Sequence, residues 1–245
     1  MLYDSHIHIE DNVAKKTYVG MSEYDCNLTG GNLIVNYLDM YDSYRQHVKN
    51  NFTLTCIFDY TSEKNIKTFV KRVCKGEIQG AKIHTKIQNV TTKDYQLLGE
   101  KIHEIPVHVP VIIDAWYDWS DMQYQPNMIN IIDIVKQHSD RTFIIAHIGG
   151  YKIMEWFMHT RKIPNIMYDM SLSPTFFNGS SVSLDIEHFV KWVDPGKILY
   201  GTDYPYVKPS THKAIVNNIL NRAGRSSGDI DKIYIDNFLK IFNVI

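Results

Sequence analysis

The stretch Arg141-Thr142-Phe143-Ile144-Ile145-Ala146-His147-Ile148-Gly149 is apolar from Phe143 to Ala146 and turns polar at His147. A short, near-continuous apolar run reads as a strand covered on both faces, as strands are inside a parallel sheet. The imidazole at its end, followed by Gly149 and Gly150, puts a chemically able group where the strand runs out. Seven other segments have the same character: residues 2–9, 32–38 (NLIVNYL), 52–59 (FTLTCIFD), 78–85 (IQGAKIHT), 109–116 (VPVIIDAW), 165–171 (NIMYDMS) and 198–204 (ILYGTDY).

Between these runs lie stretches with helical spacing. Residues 62–73 carry Ile66, Phe69, Val70 and Val73; residues 92–105 carry Tyr95, Leu98, Ile102 and Ile105; residues 127–138 carry Ile131, Ile134 and Val135. Ser62 and Thr92 read as N-caps, and Pro126 and Pro209 sit where helices begin. Eight strands alternating with helices over 245 residues predict an α/β protein, a single TIM-like (β/α)8 barrel spanning residues 1–245. The main competitor, a doubly wound open sheet, usually carries a glycine-rich first turn, and none follows Ile9. The sequence contains no internal repeat and no low-complexity tract.

Composition narrows the function. Hydrophobic residues make up 44% of the chain, enough for a large core, and the formal net charge of −1 comes without a basic block. Nucleic-acid and membrane-surface partners are therefore not expected. Cys26, Cys56 and Cys74 are odd in number and far apart, which argues for a reducing compartment and against a thiolate zinc site. With no apolar run of membrane-spanning length and a polar start at Asp4-Ser5-His6, the expectation is a soluble, cytoplasmic protein.

In a barrel of this type the active site lies at the C-terminal ends of the strands. Those ends here carry His6 and His8, then Lys82 and His84, Asp114, His147, Asp169 and Asp203. Alternation on a strand turns His6 and His8 to one face, about 6–7 Å apart along the chain. Two imidazoles so placed can share a metal ion. Any one strand-end His or Asp often only caps the next turn, but convergence of so many on one mouth favours a metal site. Nitrogen and oxygen donors without thiolates suit one divalent ion, zinc first, with manganese or iron tolerable. A catalytic ion with an open position makes hydroxide available near neutral pH; Asp203 is placed to take the water's proton, and His147 to ligate or to polarise the substrate.

These segments resemble the amidohydrolase superfamily, specifically the amidohydrolase 2 family related to aminocarboxymuconate-semialdehyde decarboxylase. DSHIHI is similar to that family's D-x-H-x-H, GAKIHTK to its strand-four segment, and FIIAHIGG to its strand-six motif. NIMYDMS and ILYGTDYP resemble strands seven and eight, and residues 231–239 resemble its closing helix. The resemblance implies a distorted barrel holding one divalent metal. It also implies His6 and His8 as ligands, Asp203 as ligand and proton handler, and His147 as a catalytic or metal-proximal residue. The chain departs from the pattern on strand five, where the usual His ligand is replaced by Asp114. Either Asp114 ligates in its place, or His84 does, or the metal is lost. Other branches of the superfamily carboxylate a strand-four lysine to bridge two metals, the position Lys82 holds here.

Trp116, Tyr117 and Trp119 after strand five, and Phe176 and Phe177 after strand seven, form aromatic loops suited to a small or flat substrate. The same loops would equally serve as a lid or as the interface of a homo-oligomer. Three functions follow. The leading one is a metal-dependent hydrolase of a small amide, ester or lactone. The second is a non-oxidative decarboxylase of an unsaturated or aromatic acid, which generally holds its acid with an arginine near the metal. Arg141 begins its strand and the other arginines fall in helix-like stretches, leaving Lys86, Lys152 or Lys208 as point charges. The third is a non-catalytic barrel that has lost its metal.

Overall fold

Branched apolar side chains in unbroken runs form eight strands. They are β1 (Tyr3–His8), β2 (Gly30–Val35), β3 (Phe52–Ile57), β4 (Gly80–Ile83), β5 (Val111–Ile113), β6 (Phe143–Ile145), β7 (Ile166–Asp169) and β8 (Ile198–Leu199). The structure, a computed structural model, describes residues 1–8, 11–12, 17–18, 24–36, 38, 51–118 and 121–244. Each strand pairs in parallel with the next in chain order. A parallel bridge between Ile7 and Tyr204 closes the ring. Around it Ser5 N donates to Tyr200 O at 2.9 Å and Asp203 N donates to His6 O at 2.8 Å. The expected (β/α)8 barrel is the observed fold.

Helices follow the strands from β3 onward: α1 (Glu63–Cys74), α2 (Tyr95–Ile102), α3 (Met128–Gln137), α4 (Ile153–Thr160), α5 (Val182–Trp192) and α6 (Pro209–Arg222). Ser62 caps α1 by accepting from Asn65 N, and Asn127 caps α3 by accepting from Asn130 N. Pro209 opens α6, where its missing N–H costs nothing. Thr92 does not cap α2. That helix starts at Tyr95, because the Asp94 carboxylate turns back to accept from Thr91 N and Oγ1 and closes a turn first. The chain ends in α7 (Ser227–Asp231), a π-helical turn over Lys232–Asp236 and α8 (Asn237–Phe242). Among the described residues, no helix is long and apolar enough to cross a membrane.

Alternation splits each strand between two cores. Leu33, Val35, Leu54, Cys56, Ala81, Ile83, Val111 and Ile113 point out under the helices. Tyr3, Ile34, Ile112, Ile144, Met167 and Leu199 point into the barrel, where Phe238 and Phe242 of α8 join them. The Phe238 ring stacks on Tyr3 at 5.0 Å, and Asn237 Nδ2 donates to Pro195 O and Ile198 O, so the terminal helix packs into the barrel's lower end. Above this apolar floor the inward positions become polar, and the site begins there.

Candidate metal centre and active site

Asp4, the first residue of the His-x-His segment, does not enter the site but fixes its frame. Its carboxylate accepts from His6 N (2.9 Å), Thr202 N (3.0 Å), Thr202 Oγ1 (2.6 Å) and Tyr24 Oη (2.7 Å). Burial pushes its pKa up to about 7, against these four donors. The bonds staple β1 to the end of β8, one residue before Asp203. A bulge between Asp4 and Ile7 re-aims β1.

His6 and His8 then bring their Nε2 atoms to 3.2 Å of one another. Asp203 Oδ1 lies 3.4 Å from the first and 3.2 Å from the second. All three residues are buried. Burial presses the pKa of His6 down to about 4, with Lys82 adding to it, and lowers His8 for the same reasons. Burial works to raise Asp203, but His147, His8 and His6 outweigh it and hold the carboxyl well below the usual range. The Asp203 backbone is left-handed, with φ of 68°, a conformation that costs a non-glycine residue about 1 kcal/mol or more. Its side chain is held toward the histidines at that expense.

Lys82, fully buried on β4, places Nζ 2.9 Å from His6 Nε2 and 3.4 Å from His8 Nε2. Burial lowers its pKa, while Asp114, Asp203 and Asp169 pull it back. The carboxylate oxygen Asp203 Oδ1 is buried without a well-formed hydrogen bond. Two neutral imidazole nitrogens and an unbonded carboxylate oxygen, mutually within 3.4 Å, are a donor set that fits a divalent cation. A second close group, His6, His147 and Asp169, fits less well, because the Ser171 hydroxyl already stands between its donor atoms. Among the described residues, Asp114 and His84 belong to neither group.

His147 arrives from β6 on an unusual turn. His147, Ile148, Gly149 and Gly150 all have positive φ, of 56°, 46°, 85° and 60°. A Cβ at Gly149 would stand 2.1 Å from Trp156 Cδ1, so only glycine lets the turn pack on α4. The end of β7 and the turn after it pin both ends of His147, since His147 N donates to Asp169 Oδ1 (3.1 Å) and Ser173 Oγ donates to His147 O (2.6 Å). The ring Nε2 is 3.4 Å from Asp114 Oδ1. Burial lowers the His147 pKa, but Asp203 and Asp114 more than reverse it, and the net shift is upward. Asp114 also reaches His84 Nδ1 (3.3 Å) and Lys86 Nζ (3.5 Å) through Oδ2. His84, Lys86 and His147 together overcome burial and hold the Asp114 carboxyl far below its ordinary pKa. Burial drives the His84 pKa down to about 3.

The aromatic loops separate. Trp116 lies edge-on to His147 at 5.8 Å and packs on Phe176 (4.9 Å) and Phe177 (5.5 Å), and Phe176 is 64% exposed, so these rings form a rim. Tyr117 packs instead on Tyr151 and under the Lys152 ammonium. Trp119 lies outside the described residues. A cavity of about 380 Å³ opens over the ends of β2 to β4, with Asn36, Ile57, Asp59, Phe69 and Gln88 among its walls. Ile57 is the register partner of Lys82, but the walls of this cavity include none of His6, His8, His147, Asp114 or Asp203. Two residues escaped the sequence reading. Ser171 touches both His6 and His147, and its one available signal is its place two residues beyond Asp169 at a strand end. Asn36, on the cavity wall, gave no signal.

The profile of the Amidohydro_2 family, described as amidohydrolase, matches residues 91–244, more than half of the chain. The chain belongs to that family. The matched region contains His147, Asp169 and Asp203, while His6 and His8 lie before it. No protein with a curated description matches the sequence. The fold is similar to 2,6-dihydroxybenzoate decarboxylase from Rhizobium, at 12% identity and a TM-score of 0.68, covering 99% of this chain and 98% of that one. It is also similar to 5-carboxyvanillate decarboxylase LigW from Sphingomonas paucimobilis (12%, TM-score 0.64, covering 100% and 99%). A third likeness is the inactive dihydroorotase-like domain of a CAD-like multifunctional protein from Chaetomium thermophilum (10%, TM-score 0.69, covering 99% and 79%). At such identities the likeness is one of fold.

Proposed function

We propose that the chain is a metal-dependent hydrolase of a small amide, ester or lactone, with one divalent ion held by His6 Nε2, His8 Nε2 and the Asp203 carboxylate. Zinc is the first choice for this donor set, with manganese or iron as alternatives. The observation that carries the reading is the buried triangle of two neutral imidazoles and an unbonded carboxylate oxygen. When bound, the ion supplies Lewis acidity, which brings the ionisation of a water close to neutral pH.

The chain's own groups divide the remaining work. Asp203 accepts the proton of the attacking water and returns it to the leaving atom, the task of a general base whose low pKa keeps it ionised. His147 Nε2 meets the substrate's developing negative oxygen from the β6 side, and Asp114 beside it maintains the charge of that ring. In this reading Asp114 serves His147 rather than the ion. The Trp116 and Phe176 rim beside His147 offers the substrate's remaining atoms an apolar wall. Cys26, Cys56 and Cys74 are unpaired, in keeping with a reducing cytoplasm.

The decarboxylase reading draws on the two decarboxylases of like fold. Its difficulty is the cation that must hold the acid. Arg141 donates to Ile102 O, Arg72 lies within α1, Arg222 ends α6 and Arg225 donates to Val190 O; Arg45 is outside the described residues. Lys86 is the candidate at the mouth, and it is already paired with Asp118 at 3.0 Å and Asp114.

Elemental analysis of the protein purified without chelators should find one divalent ion per chain, lost in a His6→Ala/His8→Ala double variant. Equal metal in both would remove the site, and no metal in either would favour a barrel that binds without catalysing. A panel of lactones, esters, N-acyl compounds and unsaturated acids, run in 18O water, should show label entering a carboxylate product. Release of CO₂ without hydrolysis would replace the leading reading with the second. Asp203→Asn should lower turnover about 10²-fold or more, the scale of a positioned general base; full activity would overturn the mechanism.

A further inference from the structure

Ser171 stands at a junction of three polar groups. Its Oγ is 2.9 Å from His147 Nδ1 and 3.3 Å from His6 Nδ1, and it makes a short contact with Asp169 Oδ1. The residue is fully buried, so no solvent enters into its hydrogen bonding. A hydroxyl has one proton to give and lone pairs to receive. Where that proton goes decides how the neighbouring ring must be protonated.

Asp169 settles the direction. Its Oδ1 accepts from His147 N at 3.1 Å and Ser171 N at 3.0 Å, and its Oδ2 faces His6 Nδ1 at 2.8 Å. With two backbone N–H donors on Oδ1 and an imidazole nitrogen on Oδ2, this carboxylate is placed as the acceptor of the cluster. A carboxylate can only accept. If the serine proton pointed at His147, the hydroxyl lone pairs would face the carboxylate at close range with nothing between them. The proton therefore belongs to Asp169 Oδ1. Ser171 Oγ then has only lone pairs for His147, and His147 Nδ1 must carry a proton and donate it.

We infer that the Asp169–Ser171 pair is a positioning device that keeps His147 protonated on Nδ1, so that Nε2 is the ring atom free to exchange a proton at the barrel mouth. This deepens the proposed function, resting on it for what His147 does there but not for the arrangement itself. The other contacts are consistent. The backbone of His147 is held by Asp169 at the end of β7 and by Ser173 in the turn that follows it, on either side of Ser171, so the segment that sets its protonation also fixes its place. Nε2 faces Asp114 Oδ1. The same carboxylate orients His6 by the same logic, as a buried acceptor on Nδ1 leaves Nε2 for the triangle with His8 and Asp203. One D-x-S segment thus fixes two imidazoles with opposite duties. Ser171 touches no substrate-facing atom and acts through His147.

The test uses 15N-histidine-labelled full-length protein, as purified and after zinc addition, with His147 assigned by difference against His147→Gln. Long-range 1H–15N spectra from pH 6 to 9 read the protonation of each ring nitrogen directly. His147 Nδ1 should stay in the protonated range throughout. In Ser171→Ala it should move toward the unprotonated range once the ring is neutral, while His6 Nδ1, held by Asp169, stays put as an internal check on folding. Ser171→Thr, which keeps the hydroxyl, should restore the wild-type pattern. An unprotonated Nδ1 in the wild type would overturn the inference without any variant, and so would a Ser171→Ala spectrum identical to wild type. Neither outcome depends on turnover, so failure here is distinct from failure of the proposed chemistry.

Discussion

Asp169 sits beneath the donor triangle and should control its affinity. Its carboxylate holds His6 by Nδ1 at 2.8 Å, which would present Nε2 to the proposed ion. Asp169→Asn keeps the volume but removes the charge and substitutes a group that can donate. Metal affinity should fall about 10–100-fold, the usual cost of losing such a partner behind a ligating imidazole. Competition against a chromogenic chelator measures it, and unchanged affinity would show that His6 needs no such support. At this scale the sequence was informative where alternation alone decides geometry. His6 and His8 share a face because they are two residues apart, and His147 and Asp203 were found because each ends an apolar run. Asp114 was legible as a mouth residue, but its partners were not, since His84, Lys86 and His147 come from two other strands. Ser171 offered only its place two residues beyond Asp169, because its role depends on the left-handed turn at His147, which no periodicity announces.

That turn is the element most exposed to single substitutions. Gly149→Ala would put a methyl into the Trp156 ring at a φ of +85°, and the cost should be about 2–4 kcal/mol, combining overpacking and strain. A fall in the urea midpoint with an unchanged slope would register it. Helix α6 offers a pH-dependent counterpart. His212 is buried, bonded to Thr175 Oγ1 at 2.7 Å, and burial lowers its pKa to about 4. The unfolded chain therefore binds that proton first. The contribution is complete above about pH 6.5 and is lost as pH falls toward 4, up to about 3 kcal/mol. Melting curves of wild type and His212→Gln should converge as the pH drops through that window; parallel curves would exclude it. Helix caps show the limit of local reading. Ser62 and Asn127 behave as their residue types suggest. Thr92 fails because the Thr91–Asp94 turn takes up the residues before α2, so the helix starts three positions beyond it.

The barrel as a whole was legible from eight apolar runs, because strands covered on both faces have no polar side to display. The strands are shorter than the runs. Chain leaving a strand at the mouth is still buried, as at Ile148 and Met170, so hydrophobicity outlasts the ladder. What the runs did not show is that α8 closes the lower end with Phe238 and Phe242, a contact between the two ends of the chain. Phe238→Ala should cost about 3–5 kcal/mol, visible as a lower melting temperature with little change in metal affinity, since the floor and the donor triangle are separate layers. The seam between β1 and β8 reaches further than architecture. Asp4 bonds Thr202, and His6 and His8 meet Asp203. The first donors to leave the ribosome must wait for some two hundred residues of synthesis before their carboxylate partner exists. On the proposed reading, a chain synthesised only as far as β7 would carry His6 and His8 without the carboxylate that completes the donor set, so ion loading would wait for β8.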